Sequence, residues 1–167
     1  IHCIVAKDIE TKEVYDFGPD SIWQGVHLLA KAKELIGHNI MGYDIPVIKK
    51  LYPFFDTYRS PKYVDTLVLS RLIWPDRKEK DFKLFREGKL EAPMIGRHSL
   101  ESWGQRLGDK KGAFSKTTDW QEFSLEMLKY CIQDVELNYR FYLVCMNEKF
   151  SKSAIHLEHK IHEICLR

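Results

Sequence analysis

The segment from residue 124 to residue 149 is the longest periodic stretch of the chain, and it constrains the fold more than any other. Its apolar residues recur at the spacing of one helix face, which predicts a long amphipathic helix. The predicted apolar stripe consists of Leu128, Cys131, Val135, Tyr142 and Cys145. A helix of this kind buries its stripe against another layer of structure, so the rest of the chain must supply that layer.

Short strand-like runs precede this helix. The runs IHCIVA (1–6) and EVYDF (13–17) flank the polar segment KDIETK (7–12), which predicts a β-hairpin. A helix is predicted after Asp20 or Ser21, and the apolar run 35–39 is typical of a buried strand. The order of strands and helices therefore predicts an α/β domain, with a sheet covered by helices.

Local signals place three further helices. Pro46 suits the first turn of a helix that Pro53 ends, and the segment YVDTLVLSRLIW reads as a strand tip running into a helix. Ser99 is a predicted helix cap and Gly108 a C-terminal stop, with Trp103 facing the core. The charged segment 75–97 between them is predicted to be a surface excursion.

Composition sets broad limits on function. The chain has 167 residues, of which 44% are hydrophobic, enough for one domain with a core. A net charge of +2 gives no support for nucleic-acid binding by overall charge, and no apolar run is long enough to span a membrane. The four cysteines lack metal-binding spacing, so we expect buried, reduced thiols and a cytosolic location. The sequence starts inside a strand-like run and stops inside a helix-like run, and we expect a longer parent polypeptide.

Two groups of residues carry chemistry. In GHNIMGYDIPVI (37–48), an apolar run delivers His38 and Asn39 to its end, and Tyr43 and Asp44 open the next helix. Ligands of open α/β sheets usually bind at such strand-to-helix junctions. The structural alternative is that Asn39 forms a turn and Asp44 an N-cap.

The second group lies on the long helix. Tyr130 and Asp134 are four residues apart and hence on one helix face. Taken alone, this pair is most simply a solvated pair at the edge of the core. The functional interpretation rests on the combination of NxxxYD at a strand-to-helix junction with YxxxD on a later long helix.

The segments HNIMGYD, VDTLVLSRLI, HSLESWGQRLGDKKG and YCIQDV together resemble the 3′ to 5′ proofreading exonuclease domain of family-A DNA polymerases from short-tailed phages, in the DEDD superfamily. The resemblance covers residues 1–149, and residues 150–167 are similar to the helix leading into the polymerase portion. It implies a ribonuclease-H-like mixed sheet flanked by helices. The implied partners are single-stranded DNA or a primer 3′ end and the polymerase portion of the same chain, in the host cytosol, with no membrane.

The resemblance also implies a mechanism. Two Mg²⁺ or Mn²⁺ ions would activate water and stabilise the leaving oxygen, with Asp44 and Asp134 as two of four acidic ligands. Tyr130 would orient the attacking water through its hydroxyl. Contacts to the terminal nucleotide would come from three residues of the junction: His38, Asn39 and Tyr43. A structural role for His38 is the alternative, because a histidine at a buried strand end usually bonds a backbone carbonyl.

The missing acids of such a site are an Asp and a Glu one residue apart, which Asp8 and Glu10 match in letters. Only one strand-like run separates Asp8 from the first helix, whereas the resemblance calls for two. We therefore interpret Asp8 and Glu10 as the tip of a hairpin. The opening strand and its two acids would lie upstream of Ile1, and the isolated fragment would be nearly inactive.

Several residues carry weaker predictions. Asp65 is expected to cap a helix rather than to act in catalysis. The charged run 76–89 is expected to be a solvated face. The alternative is that Phe82 and Phe85, which lie among its cations, guide single-stranded nucleic acid. Trp120 is a candidate contact for a frayed primer end. Two other functions stay open: a free-standing DEDD ribonuclease and a non-catalytic nucleic-acid clamp.

Overall fold

A computed structural model describes residues 1–57, 61–109 and 121–166 of the chain. Strands β1 (Ile4–Lys7) and β2 (Val14–Phe17) pair antiparallel, with Ile4 opposite Phe17. The backbone N–H of Asp8 donates to the carbonyl of Glu13 at 2.9 Å and closes the connection. Asp8 and Glu10 lie exposed in the turn, so the predicted hairpin is confirmed.

Strands β3 (Glu34–Gly37) and β4 (Lys62–Asp65) pair in parallel, with Gly37 opposite Asp65. The described helices are α1 (Ile22–Lys31), α2 (Asp44–Leu51), α3 (Thr66–Ile73), α4 (Arg77–Arg86), α5 (Leu100–Arg106), α6 (Leu125–Asn147) and α7 (Lys152–Cys165). Short 3₁₀ turns lie at Pro19–Ser21, Pro53–Thr57 and Ala92–Met94.

Two clusters of buried side chains form the core. The first joins the hairpin to α1, α2 and β3, and it includes Ile4, Val26 and Leu35. The second packs α3, α5 and α6 together around Trp103 and Phe141, whose rings stack with centroids 4.2 Å apart. Trp103 is therefore a core residue, as predicted. Small sheets flanked by helices make a mixed α/β fold that is compatible with a ribonuclease-H-like arrangement.

The long helix α6 buries a different set of residues from the predicted stripe. Its buried residues are Met127, Leu137, Phe141 and Cys145, and only Cys145 belongs to the predicted five. The reason is that α6 contacts β1 along one side and α3 and α5 along another, so its buried positions are not confined to one stripe. The Lys7 ammonium pairs with Glu136 across the β1 contact.

The four cysteines all lie in the described part of the chain and are free thiols. Cys145 is buried, Cys3 and Cys131 are half-buried, and Cys165 is exposed on α7. The prediction of buried thiols is therefore confirmed for Cys145 alone. It is wrong for Cys165, because α7 turns that position towards solvent.

The charged excursion contains a helix, α4, that the sequence did not predict. Asp81 on this helix is wholly buried, which corrects the prediction of a solvated face at that position. Its carboxylate lies 3.0 Å from Arg77 Nε and 2.6 Å from Arg106 Nη2. Arg106 belongs to α5, so a distant cation compensates the buried charge. Phe82 and Phe85 are exposed, and their contact with a single strand stays a prediction.

Serine hydroxyls cap α5 and α6, and the cap at Ser99 confirms a prediction, whereas Ser21 before α1 makes no side-chain capping bond. The Ser99 hydroxyl accepts from Ser102 N at 3.3 Å, and the Ser124 hydroxyl from Met127 N at 3.1 Å. Gly108 follows α5 with a φ of +78°, in the left-handed region that favours glycine. No helix in the described ranges is long and apolar enough to cross a membrane. Trp120 lies outside the described residues.

Candidate functional site

The carboxyl ends of β3 and β4 lie side by side, because the strands are parallel and Gly37 pairs with Asp65. Residues 38–44, here called the junction loop, leave β3 at this edge and lead into α2. Helix α3 leaves β4 at the same edge. Side chains that follow both strands are thus brought together, as expected for the ligand-binding edge of an α/β sheet.

The buried carboxylate of Asp65 holds the junction loop. Its Oδ1 accepts hydrogen bonds from Asn39 N and Leu67 N, both at 2.9 Å, and its Oδ2 accepts from Met41 N at 3.1 Å. The bond from Leu67 caps α3, so the predicted capping role of Asp65 is confirmed. The two bonds from the loop are a further role that the sequence did not reveal.

The junction loop is tight enough to require particular residues. Asn39 has a φ of +60°, a left-handed conformation that asparagine tolerates better than most residues. A Cβ on Gly42 would lie 2.6 Å from Asn39 Oδ1, so glycine allows the Asn39 amide to fold over the loop. The loop conformation therefore depends on Asn39, Gly42 and the Asp65 carboxylate together.

A chain of polar side chains connects the loop to the long helix. The Thr66 hydroxyl donates to Asn138 Oδ1 on α6 at 2.7 Å and lies 2.9 Å from His38 Nδ1. Burial lowers the pKa of His38 to about 4, against the opposing charge of Asp65, so His38 is neutral at physiological pH. The contact with the Thr66 hydroxyl fits the structural alternative for His38.

Asp44 is the first residue of α2, and Tyr43 occupies the N-cap position without a side-chain capping bond. The alternative prediction of Asp44 as the N-cap is thus wrong. Asp44 is an exposed residue, but protein atoms around its carboxyl raise the pKa of that group to about 6; its own backbone N–H opposes the shift, and the charge of Asp65 adds to it. Tyr43 is 65% exposed and available to a ligand.

Tyr130 and Asp134 lie one turn apart on α6, and both are half-buried. Between them, burial, the neighbouring Cys3 thiol and the Asp44 carboxylate raise the pKa of the Cys131 thiol to about 12. The geometric link between the junction loop and α6 is the chain His38–Thr66–Asn138, in which Asn138 lies one turn after Asp134. The joint action of Asp44, Tyr130 and Asp134 stays a prediction.

A cleft of about 510 Å³ opens beside the junction loop. Its lining residues come from the loop, α3 and the segment before α5: His38, Asn39, Leu67, Arg71, Gly96, Arg97, His98, Ser99 and Leu100. Arg71 and Arg97 are exposed, which makes the cleft cationic. Two hydrogen bonds hold the segment before α5 that lines the cleft. Arg106 Nη2 donates to the Arg97 carbonyl at 2.7 Å, and His98 Nδ1 lies 2.7 Å from Ser70 Oγ.

Metal binding by Asp44 and Asp134 stays a prediction, based on the preference of Mg²⁺ and Mn²⁺ for carboxylate oxygens. Within residues 1–57, 61–109 and 121–166, no group of three or more His, Cys, Asp or Glu side chains is arranged to hold a metal ion. Asp8 and Glu10 do not supply the missing ligands: Asp8 Oδ1 accepts from Glu10 N and Thr11 N within the turn, at 2.7 and 2.8 Å.

The sequence did not reveal three contributions to the site: the hydrogen bonds from Asp65 to the junction loop, and the contacts of Thr66 and Asn138. Asn138 follows Asp134 by four residues and extends the series Tyr130–Asp134 by one turn, which was a usable signal. Thr66 and the second role of Asp65 became visible only with the parallel pairing of β3 and β4.

No protein-family model matches the sequence. The chain is 33% identical over 159 aligned positions to the DNA-directed DNA polymerase of Escherichia phage T7, and equally to that of Enterobacteria phage T3. Each alignment covers 80% of this chain and 22% of the polymerase, so the chain spans about a fifth of the length of the curated relatives it matches. The similarity relates this chain to a region of phage DNA polymerases.

Proposed function

We propose that this chain is the 3′ to 5′ exonuclease part of a phage DNA polymerase. It would hydrolyse the terminal phosphodiester of single-stranded or frayed DNA in the cytosol of the host cell. The observation that carries the proposal is the hydrogen-bonded chain His38–Thr66–Asn138, which ties the loop before Asp44 to α6 one turn after Asp134. Two acids from separate elements in one place are what metal-dependent phosphodiester hydrolysis needs.

In this proposal, Asp44 and Asp134 are ligands for two divalent cations, Mg²⁺ or Mn²⁺. When bound, such ions activate the attacking water and stabilise the charge on the leaving 3′ oxygen. Two carboxylates are too few for two ions, so an Asp and a Glu from outside these 167 residues would complete the set. The isolated chain is accordingly expected to be nearly inactive.

The other residues of the site position the reactants. The Tyr130 hydroxyl, one turn before Asp134, would hold the attacking water in line, a role that a neutral phenol can serve. Asn39 and the exposed Tyr43 would contact the terminal nucleotide. His38 is neutral, so it would act by fixing the loop through Thr66 rather than by charge.

The cationic cleft supports a nucleic-acid substrate. Arg71 and Arg97 line it beside Asn39, and guanidinium groups suit phosphodiester oxygens. The sugar of that substrate is inferred from the similarity to DNA polymerases rather than from any contact. Competition between DNA and RNA oligonucleotides of one sequence would separate a deoxyribonuclease from a ribonuclease.

The decisive test is Asp134→Ala in the full-length protein, assayed on a primer with a mismatched 3′ end. We expect excision to fall by about 100-fold or more, because a metal ligand is lost. Tyr130→Phe should cost about 10-fold, since only the orientation of water is affected.

Glu126→Ala is the matched control, because Glu126 is an exposed acid in the first turn of the same helix. It should leave excision unchanged. Unchanged excision in Asp134→Ala, with wild-type folding, would refute the proposed function.

A further inference from the structure

Helix α7 makes a polar contact with the site through His159. The Nε2 atom of His159 lies 2.8 Å from the backbone N of Asp65, and its Nδ1 atom lies 2.8 Å from the carbonyl of Ile155. The carbonyl can only accept, so Nδ1 carries the proton and Nε2 is the acceptor for the Asp65 N–H. The geometry thus selects the neutral ring with its proton on Nδ1.

Asp65 is consequently held from two sides. Its amide is bonded to α7, and its carboxylate receives the amides of Asn39 and Met41 in the junction loop. One residue with no exposed surface therefore joins the C-terminal helix to the loop that precedes Asp44. In a buried setting, an N–H without an acceptor costs more than an average hydrogen bond contributes, so the His159 contact is not replaceable by solvent.

We propose that His159 is a positioning residue of the candidate active site, through which α7 fixes Asp65 and hence the junction loop. His159 acts through Asp65, to whose backbone N–H it is bonded. A displacement of α7 would release the Asp65 amide and loosen the loop. The expected effect of His159 on excision rests on the proposed function, whereas its expected effect on the junction loop does not.

Packing supports this role for α7. Ile155, one turn before His159, packs against the second core cluster, which contains Val64 next to Asp65. Arg71 of α3 and Ile161 of α7 line one groove between the two helices. Helix α7 is thus seated against α3 and beside the core cluster that contains Val64 of β4, and Asp65 joins these two elements.

The test compares His159→Phe with His159→Gln in the full-length protein. Phenylalanine keeps the ring volume and removes the acceptor, whereas the Gln side-chain oxygen reaches a position near that of Nε2. We expect His159→Phe to speed amide hydrogen exchange at Asn39 and Met41 by about tenfold and to lower excision by a similar factor. His159→Gln should restore both to within about threefold of wild type. Exchange in α1 should not change in either variant.

His156→Phe is the control for altered packing on α7, because His156 is an exposed histidine on the same helix. The inference is overturned if His159→Phe leaves exchange at Asn39 and Met41 unchanged, or if His159→Gln is as impaired as His159→Phe. Asp134→Ala in the same preparation separates the two proposals. Full excision in that variant refutes the exonuclease, while the exchange data still decide the role of His159.

Discussion

The hairpin turn at residues 8–11 and the junction loop at 38–44 are both held by an aspartate that accepts backbone hydrogen bonds. Asp8 receives the amides of Glu10 and Thr11, two and three residues away, and it is exposed. Asp65 receives amides 24 and 26 residues away, and it is buried. The same chemistry shapes a local turn in one case and joins two strands in the other.

The difference teaches what burial adds to a hydrogen bond. In the turn, removal of the Asp8 carboxylate leaves the two backbone N–H groups exposed to water, which replaces the lost acceptor. In the junction loop, the released amides stay enclosed by the ends of β3 and β4. The comparison therefore predicts a strong asymmetry between two substitutions that remove the same chemical group.

Asp65→Ala should have the largest effect. Removing the carboxylate leaves the amides of Asn39, Met41 and Leu67 without their acceptor, and the expected loss of unfolding free energy is about 3 kcal/mol. Urea denaturation of the chain at neutral pH measures it. A loss no larger than that of Asp8→Ala would break the comparison, because burial would then add nothing.

Asp44→Asn should have an intermediate, pH-dependent effect at the end of the junction loop. The pKa of Asp44 is raised to about 6 in the folded state from 3.8, so ionisation opposes folding above that range. The wild-type protein should lose stability as the pH rises from 4 to 6, relative to Asp44→Asn, whose side chain stays neutral. Denaturation at pH 4 and pH 7 in the presence of a chelator measures this difference. Equal differences at both values would contradict the raised pKa.

Asp8→Ala should have the smallest effect on the free energy of unfolding, because its two partner amides are solvated. The hydrogen bonds from Thr11 and Glu10 lower the pKa of Asp8 below 3.8, so its contribution is present at neutral pH. That contribution is lost as the pH falls through the lowered pKa. Parallel melting curves at pH 7 and pH 2.5 would show the two proteins converging in acid.

Local signals predicted the parts of the fold that depend on neighbouring residues. Ser99, Ser124 and Gly108 mark helix ends because capping involves residues two to four positions apart. The hairpin also followed from its sequence alone. Helix α4 was missed because it carries charge on all sides and has no apolar stripe.

The site was predictable only in outline. The residues NxxxYD and YxxxD have recognisable spacing, but Asp65, Thr66, Asn138 and His159 act across distances of 24 to 94 residues. Such contacts require the parallel pairing of β3 with β4 and the seating of α6 and α7. Asp81 shows the same limit, since its burial depends on Arg106 from another helix.

The uneven burial of the four thiols has a practical consequence for labelling. Burial raises the pKa of Cys131 and Cys145 to about 12, and it also raises that of Cys3, so these groups hold little reactive thiolate near pH 7. Cys165 is exposed at the end of α7. A maleimide dye added briefly at neutral pH would therefore attach at Cys165 first, without any engineered cysteine. The chain thus carries a native fluorescent reporter position on the helix that holds His159.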